Sequence, residues 1–241
     1  MVGIRDYYQE YGIIINLQHP TIQKVLKGIR NTLLKRPIQK EPLLVEQIKA
    51  MVEGISIEKE GKPHLIGIRD RAILLLGFAG AFRRSELVSL DIEDLTFTRD
   101  GFVILLKKSK TDQEGEGSEK AIPYGGNPLT CPVRAVKDWL DAAKIQFGPL
   151  LCPINRHGQL QCKRLTAHAI ALIVKRSYLE GSSKNISGHS LRAGFVTTAA
   201  KRKVPEHLIM KQTGHKCSDT LKRYIRIGTR FDENAASLVG L

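Results

Sequence analysis

Residues 67–87, GIRDRAILLLGFAGAFRRSEL, change character near their end. The first part is apolar on nearly every side of a helix, which is typical of a helix buried inside a domain rather than lying on its surface. Two arginines, a serine and a glutamate follow that apolar run directly. The stretch therefore predicts a central buried helix that leads into a charged motif, RRSEL.

The chain on both sides of this helix is predicted to be mainly helical, with one small antiparallel sheet. Apolar residues recur at helical spacing before it, in residues 20–34 and 45–55. After it the period changes to that of strands. Residues 95–108 are typical of a hairpin that turns at Asp100 and Gly101, and residues 121–125 of a third short strand. Helical patterns return in residues 131–144, 166–179, 190–202, 205–213 and 218–226, so the predicted fold class is α+β, mainly α.

Charge gives the first indication of a partner. The chain has 241 residues and a formal net charge of +14. Between residues 183 and 230, eleven lysines and arginines stand against two acids, Glu206 and Asp219. Such a one-sided stretch favours nucleic acid as the partner. An ordinary solvated basic surface is the alternative that charge alone leaves open.

The sequence indicates a cytoplasmic protein without a membrane partner. Its longest apolar run, residues 72–82, is shorter than the roughly 20 residues that cross a bilayer, and the N-terminus lacks the layout of a signal peptide. The four cysteines form no CxxC pair and are typical of free thiols. Cys152, His157 and Cys162 have the spacing of three zinc-knuckle ligands, but Pro149 stands near the place of the first ligand, so no metal is predicted.

Four motifs carry the functional signal: RRSEL (83–87), KSKTD (108–112), GHSLRAG (188–194) and GHKCSDTLKRY (214–224). In this order and at these separations they resemble the catalytic motifs of the tyrosine site-specific recombinases, the phage integrase family, over residues 43–230. Each motif alone is common, whereas all four together are specific. The resemblance implies the integrase catalytic-domain fold. It also implies cleavage and rejoining of DNA through a covalent 3′-phosphotyrosyl intermediate, without metal, ATP or another cofactor.

The first motif offers two arginines for binding a phosphate. One guanidinium group can donate two parallel hydrogen bonds to the charged oxygens of a phosphodiester transition state. It therefore fits these oxygens better than an ammonium group does. In the family the arginine precedes the glutamate by three residues, which selects Arg83 over Arg84. On a helix, Arg83 and Glu86 would share a face, so that the carboxylate could hold the guanidinium. Arg84 would then point elsewhere.

The second and third motifs contribute further cations. His189 and Arg192 lie three residues apart, so one helical face would present an imidazole and a guanidinium to the same phosphate, and the imidazole can exchange protons near neutral pH. The resemblance places a lysine on the hairpin as the general acid for the departing 5′ oxygen. Lys110 is selected because a threonine follows it, with Lys107 and Lys108 as rivals.

Tyr224 is the candidate nucleophile. A tyrosine is only about 0.1% phenolate at pH 7, so it needs nearby cations and a proton acceptor before it can attack phosphorus. His215, which lies nine residues before it, matches the histidine that precedes the family's nucleophile. The residues predicted to bind DNA are Lys107, Lys108, Arg164, Lys201, Arg202, Lys222, Arg223 and Arg226.

The resemblance also implies a domain organisation and partners. Residues 1–42 match only the end of the helical, SAM-like core-binding domain plus a linker, and residues 43–241 the catalytic domain. The expected partner is double-stranded DNA, with tetramers on DNA and a monomer or weak oligomer without it. A bacterial or phage-encoded, nucleoid-associated protein is expected. A DNA-binding relative without activity and a type IB topoisomerase-like enzyme are the alternatives.

Overall fold

The computed structural model describes residues 2–14, 16–33, 40–107, 117–178, 185–215, 221–222 and 224. The chain divides into two compact units, Met1–Gln39 and Lys40–Leu241. The division lies slightly before the predicted boundary at residues 42 and 43. The assignment of the first unit to a core-binding domain stays a prediction.

The described part of the first unit contains two helices, α1 (Val2–Glu10) and α2 (Pro20–Leu33). The helical spacing predicted α2 but not α1. The apolar stripe of α2 is exposed at Val25, Ile29 and Leu33, and no described side chain of this unit is buried. The described part of the first unit therefore has no core of its own.

The second unit is organised around α4, the helix predicted from the opening stretch. It begins with α3 (Val45–Glu53) and a short hairpin of β1 (Glu58–Lys59) and β2 (Lys62–Pro63), followed by α4 (Leu65–Ala79) and α5 (Arg84–Ser89). Residues 67–77 of α4 are all buried, and the helix packs against two later helices, Pro132–Ala143 and Gly188–Lys201. The prediction of a central buried helix is confirmed.

The predicted antiparallel sheet is also present, with the strand order β3–β4–β5. Its strands are β3 (Leu95–Phe97), β4 (Gly101–Leu106) and β5 (Ser118–Pro123), and a one-turn 3-10 helix, Ile92–Asp94, precedes them. Ile104 in the middle of β4 pairs with Leu95 on one side and with Lys120 on the other. This register brings a lysine into the centre of the sheet.

Four helices complete the described part of this unit: α6 (Pro132–Ala143), α7 (Ala167–Ser177), α8 (Gly188–Lys201) and α9 (Glu206–Thr213). The 3-10 turn Pro128–Thr130 leads into α6. Gly214 ends α9 with a φ of 68°, a left-handed conformation that glycine adopts without steric cost. Of the predicted helix 218–226, residues 221, 222 and 224 are described, and all three are helical.

A small apolar cluster beside the main core fixes the position of this last segment. Leu221 is fully buried and packs with Val196 of α8 and Ile209 of α9, and Tyr224 packs against the same cluster. The apolar contacts of Leu221 therefore anchor the segment that carries Tyr224. The fold is mainly helical with small antiparallel sheets, of which the sequence predicted the one formed by β3, β4 and β5 but not the β1–β2 hairpin. Among the described helices, none is long and apolar enough to span a bilayer.

Candidate active site

The turn between α4 and α5 is the meeting point of three distant elements. Ala81, at its centre, is fully buried and has a φ of 47°, which is uncommon for a residue with a β-carbon. Three side chains donate hydrogen bonds of 2.8 Å to carbonyls of this region: Lys120 of β5 to Gly80, Arg192 of α8 to Ala81, and Gln212 of α9 to Ala79. The turn thus holds cations from separate parts of the chain in one place.

Arg83 follows this turn and pairs with Glu86. It is the N-cap of α5, with an extended backbone, and not a member of the helix. One carboxylate oxygen of Glu86 accepts a 2.9 Å hydrogen bond from the Arg83 backbone N–H, and the other accepts from the guanidinium. The predicted pairing is present, but the predicted shared helical face is wrong, because α5 begins only at Arg84.

Glu86 remains charged although it is only 4% exposed. Burial alone would raise its pKa, but the hydrogen bonds and positive charge of Arg83 outweigh burial and hold the pKa of Glu86 below its usual value. A buried carboxylate of this kind keeps the Arg83 side chain in one position.

Arg84 lies closer to the site than the sequence suggested. A β-carbon added to Gly188, at the start of α8, would lie 2.5 Å from Cγ of Arg84. The Arg84 side chain therefore passes over that glycine, and its charge helps to lower the pKa of the neighbouring His189. The expectation that the Arg84 guanidinium points away from the site stays a prediction.

Helix α8 presents Arg192 to the turn and His189 to Tyr224. Arg192 is 3% exposed, and burial, followed by the charge of Arg83, lowers its pKa to about 10. It therefore stays protonated at neutral pH. Nε2 of His189 lies 2.9 Å from the Tyr224 hydroxyl oxygen.

The state of His189 suits the role of a proton acceptor. Burial, and then the charges of Arg192, Arg84 and Arg83, lower the pKa of this imidazole. It is therefore neutral at pH 7, and a neutral imidazole can accept a proton at the nitrogen that faces Tyr224. The sequence had associated His215 with the nucleophile, whereas the histidine in contact with Tyr224 is His189.

His215 instead contacts Arg192. Its Nε2 lies 3.1 Å from Nη2 of Arg192, and its Nδ1 lies 2.7 Å from Oγ1 of Thr213. Burial, with the charge of Arg192 as the next largest effect, lowers the pKa of His215 to about 4. The ring is neutral at pH 7 and is held between two polar side chains.

Lys120 belongs to the same cluster, although it was not among the site residues predicted from the sequence. It is 5% exposed, and its Nζ lies 4.6 Å from the centroid of the Phe82 ring. Burial lowers the pKa of Lys120 to about 8, with Glu86 opposing the shift and Arg192 and Arg83 adding to it. The available signal was the alternation in SEKAIP, which places Lys120 on the buried face of β5 with Ile122.

Two of the predicted DNA-binding residues, Lys107 and Arg164, have partners within the protein. Lys107 lies 2.6 Å from a carboxylate oxygen of Asp94. Arg164 donates to a carboxylate oxygen of Asp91 at 2.6 Å and to two backbone carbonyls at 2.7 and 3.1 Å. Both side chains are thus held by contacts within the protein, which do not favour a DNA-binding role for Arg164.

The other predicted cations fall into two groups. Lys201, Arg202 and Lys222 are exposed on the surface. Lys108, Lys110, Arg223 and Arg226 lie outside the residues that the structure describes. Among the described residues, no three His, Cys, Asp or Glu side chains form a group that could hold a metal ion.

The arrangement defines a class of site. A phenol hydroxyl contacts a neutral histidine, and two arginines, a lysine and a second histidine lie in the same cluster. Such a set suits an anionic substrate whose charge grows in the transition state, which is the situation in phosphoryl transfer to a tyrosine nucleophile.

Comparisons with known proteins agree with this class. The phage integrase family is matched over residues 42–230. An integrase/recombinase xerD homolog of Selenomonas ruminantium is 45% identical over 198 residues, which are 81% of this chain and 57% of that protein. The tyrosine recombinase XerA of Pyrococcus furiosus is 27% identical over 214 residues, 88% of this chain and 66% of the relative.

A solved structure shows the same fold. The XerH site-specific recombinase bound to a palindromic difH substrate, in a post-cleavage complex, has a TM-score of 0.62 at 21% identity, over 84% of this chain and 54% of that chain. The chain belongs to the phage integrase family. It spans between half and two thirds of the length of the two curated relatives named above.

Proposed function

We propose that this chain cleaves and rejoins DNA strands at specific sites, with Tyr224 as the nucleophile. The observation that carries the proposal is the 2.9 Å contact between the Tyr224 hydroxyl and Nε2 of His189, beside a cluster of buried cations. In the first step the phenol gives its proton to His189, and its oxygen bonds to phosphorus. The bond from phosphorus to the 5′ oxygen breaks, leaving a 3′-phosphotyrosyl link and a 5′-hydroxyl.

The departing 5′ oxygen needs a proton, and Lys110 is proposed as the donor from its place in the second motif. The 5′-hydroxyl of another strand then attacks the phosphotyrosyl link, and the same groups work in reverse. The covalent link conserves the energy of the phosphodiester bond. The proposed reaction therefore needs no ATP.

Arg83 and Arg192 are proposed to bind the non-bridging oxygens of the reacting phosphate, with His215 beside them. Their positions support this role, because Glu86 holds the first arginine and the Ala81 carbonyl holds the second. By analogy with arginines in other phosphoryl transfers, each could contribute about 10³ to 10⁵ in rate.

The partner proposed is double-stranded DNA, as for the XerH relative, whose structure holds its difH substrate. The exposed cations Lys201, Arg202 and Lys222 would meet the DNA backbone. Tetramers on DNA, a monomer or weak oligomer without it, and a cytoplasmic, nucleoid-associated location belong to the same proposal. Residues 1–42 are proposed as the end of a core-binding domain, which the exposed apolar stripe of α2 supports.

The test is the capture of the covalent intermediate. Duplexes that the protein selects from a random pool are nicked at successive positions, so that the short cleaved strand diffuses away and the covalent product accumulates. The wild type is expected to form a protein–DNA adduct that survives SDS, and Tyr224→Phe is expected to form none. The matched control is Tyr11→Phe, which changes a tyrosine that is 68% exposed and should behave as the wild type.

Three outcomes would contradict parts of the proposal. An adduct formed by Tyr224→Phe would show that the nucleophile is another residue. DNA shifted in a gel by the wild type, without any adduct, would favour a binding relative that lacks activity. Relaxation of supercoiled plasmids without exchange of strands between duplexes would favour a topoisomerase-like enzyme.

A further inference from the structure

We propose that Thr213 sets the tautomer of His215, so that the imidazole carries its hydrogen on Nδ1 and accepts at Nε2 from Arg192. Thr213 would thus be a positioning residue that acts on the phosphate-binding guanidinium through a histidine. Only the expected effect on the reaction rests on the proposed function. The tautomer itself follows from the hydrogen-bonding groups.

The contact with Arg192 shows which nitrogen of His215 is the acceptor. A guanidinium has five N–H donors and no acceptor. Because Nη2 of Arg192 lies 3.1 Å from Nε2 of His215, the arginine donates and Nε2 is unprotonated. The ring is neutral at pH 7, so its remaining hydrogen is on Nδ1.

Thr213 receives that hydrogen. Its Oγ1 lies 2.7 Å from Nδ1 of His215, and the residue is 1% exposed, which makes the hydroxyl the partner available to Nδ1 away from solvent. The hydroxyl hydrogen of Thr213 is directed to the carbonyl of Ile209, at 2.7 Å. This carbonyl lies one helical turn earlier in α9, so the helix backbone fixes the direction of the hydroxyl.

The hydrogens of this chain therefore all point the same way, from Arg192 to His215, to Thr213 and to Ile209. The opposite tautomer would place an N–H of His215 against an N–H of Arg192 and would leave the Ile209 carbonyl without the threonine hydrogen. Arg192 is thus held by two acceptors, Nε2 of His215 and the carbonyl of Ala81. Its remaining N–H groups stay available for phosphate oxygens.

The direct test is the tautomer of His215 in the whole chain, labelled with ¹⁵N-histidine and studied by long-range ¹H–¹⁵N correlation at neutral pH. The spectrum of His215→Gln identifies the signals of this ring. For the wild type we expect Nδ1 to have the shift of a protonated nitrogen and Nε2 that of an unprotonated one. A hydrogen on Nε2 in the wild type would overturn the proposal even if neither Thr213 variant folded.

Two variants of Thr213 sharpen the test. Thr213→Val keeps the shape of the side chain but removes the hydroxyl, and is expected to shift the ring toward a hydrogen on Nε2 or a mixture of tautomers. Thr213→Ser keeps the hydroxyl and is expected to keep the wild-type pattern. An unchanged tautomer in Thr213→Val would show that Arg192 alone decides it, contrary to the proposal.

The consequence for the reaction is measured separately, as the single-turnover rate of adduct formation at saturating DNA. Thr213→Val should slow adduct formation about tenfold and leave the affinity for DNA unchanged. The loss of a group that orients a metal-bound histidine has an effect of about this size. Thr213→Ser should restore the rate. The spectra involve no DNA, so a failure of the tautomer assignment is distinguishable from a failure of the proposed function, which the Tyr224 adduct decides.

Discussion

The two ends of helix α8 carry the same kind of charge in opposite settings. Near its N-terminal end, Arg192 is 3% exposed and donates to the Ala81 carbonyl and to His215. At its C-terminal end, Lys201 and Arg202 are exposed. Their charge also suits the negative end of the helix dipole, so these two cations add to the stability of the helix instead of reducing it.

The difference concerns what each cation can contribute. A buried guanidinium loses hydration, and its pKa of about 10 reflects that cost. In exchange it is fixed in position and acts through a low local dielectric, which favours stabilisation of a transition state. An exposed lysine keeps its hydration and contributes to DNA affinity through released counterions, an effect that salt weakens. For the function proposed above, burial would therefore separate the cations that act in catalysis from those that bind DNA.

The largest expected effect comes from replacing the buried guanidinium while its charge is kept. Arg192→Lys removes the paired donors and is expected to slow adduct formation about 10³-fold at saturating DNA, measured in single turnovers. Arg202→Lys, the same change at the exposed end, is expected to stay within about twofold of the wild type. Equal losses in the two variants would remove the distinction between the two ends.

The pH dependence of stability is expected to show the cost of a second buried cation. The folded-state pKa of Lys120 is about 8, and that of an exposed lysine is about 10.4. Between these values the unfolded chain holds a proton that the folded chain has released, so the free energy of unfolding rises with pH in this window. Below pH 8 both states are protonated, and the full cost of burying the charge remains.

The measurement is reversible denaturant unfolding of the wild type and of Lys120→Met from pH 8 to 10. The difference in free energy of unfolding between them should shift in favour of the wild type by about 2 kcal/mol over this range. Lys201→Met, the same change at an exposed lysine, is the matched control. Parallel curves for the wild type and Lys120→Met would mean that Lys120 titrates as an exposed lysine does.

The smallest effect on the reaction is expected at the exposed end of α8. A double change of Lys201 and Arg202 to alanine should weaken DNA binding and lower the slope of log affinity against log salt by about 1 to 2. The rate of adduct formation at saturating DNA should change by less than about twofold, since neither residue is buried at the site. A lower rate at saturating DNA, with the salt slope unchanged, would contradict this division of roles.

Local patterns predicted the parts of the site but not how they are connected. The three-residue spacing of Arg83 and Glu86 correctly indicated a pair, yet helical geometry was the wrong reason, since Arg83 is a cap. The motif GHSLRAG correctly placed His189 and Arg192 on one helix. Which of the two histidines contacts Tyr224 depends on how α8, α9 and the segment after α9 pack together, and spacing along the chain carries no such information.

Lys120 shows the limit most clearly. In a strand pattern a lysine usually indicates the solvent face, so the alternation with Ile122 was too weak a signal to predict that Lys120 is only 5% exposed. Its partner, the Gly80 carbonyl, lies 40 residues earlier in the chain. A backbone carbonyl leaves no signal in a sequence, because every residue has one.

The sequence by itself determined the mainly helical fold, the buried central helix and the order of the motifs that mark the family, because helical and strand periodicities and motif spacings are local properties of the chain. Tertiary structure alone decided that a turn with Ala81 in a left-handed conformation collects Lys120, Arg192 and Gln212, and that His189 faces Tyr224. Arg192 and the carbonyl it binds are 111 residues apart. Only the packing of the helices and the sheet brings such groups within hydrogen-bonding distance, and the burial that results is what lowers their pKa values.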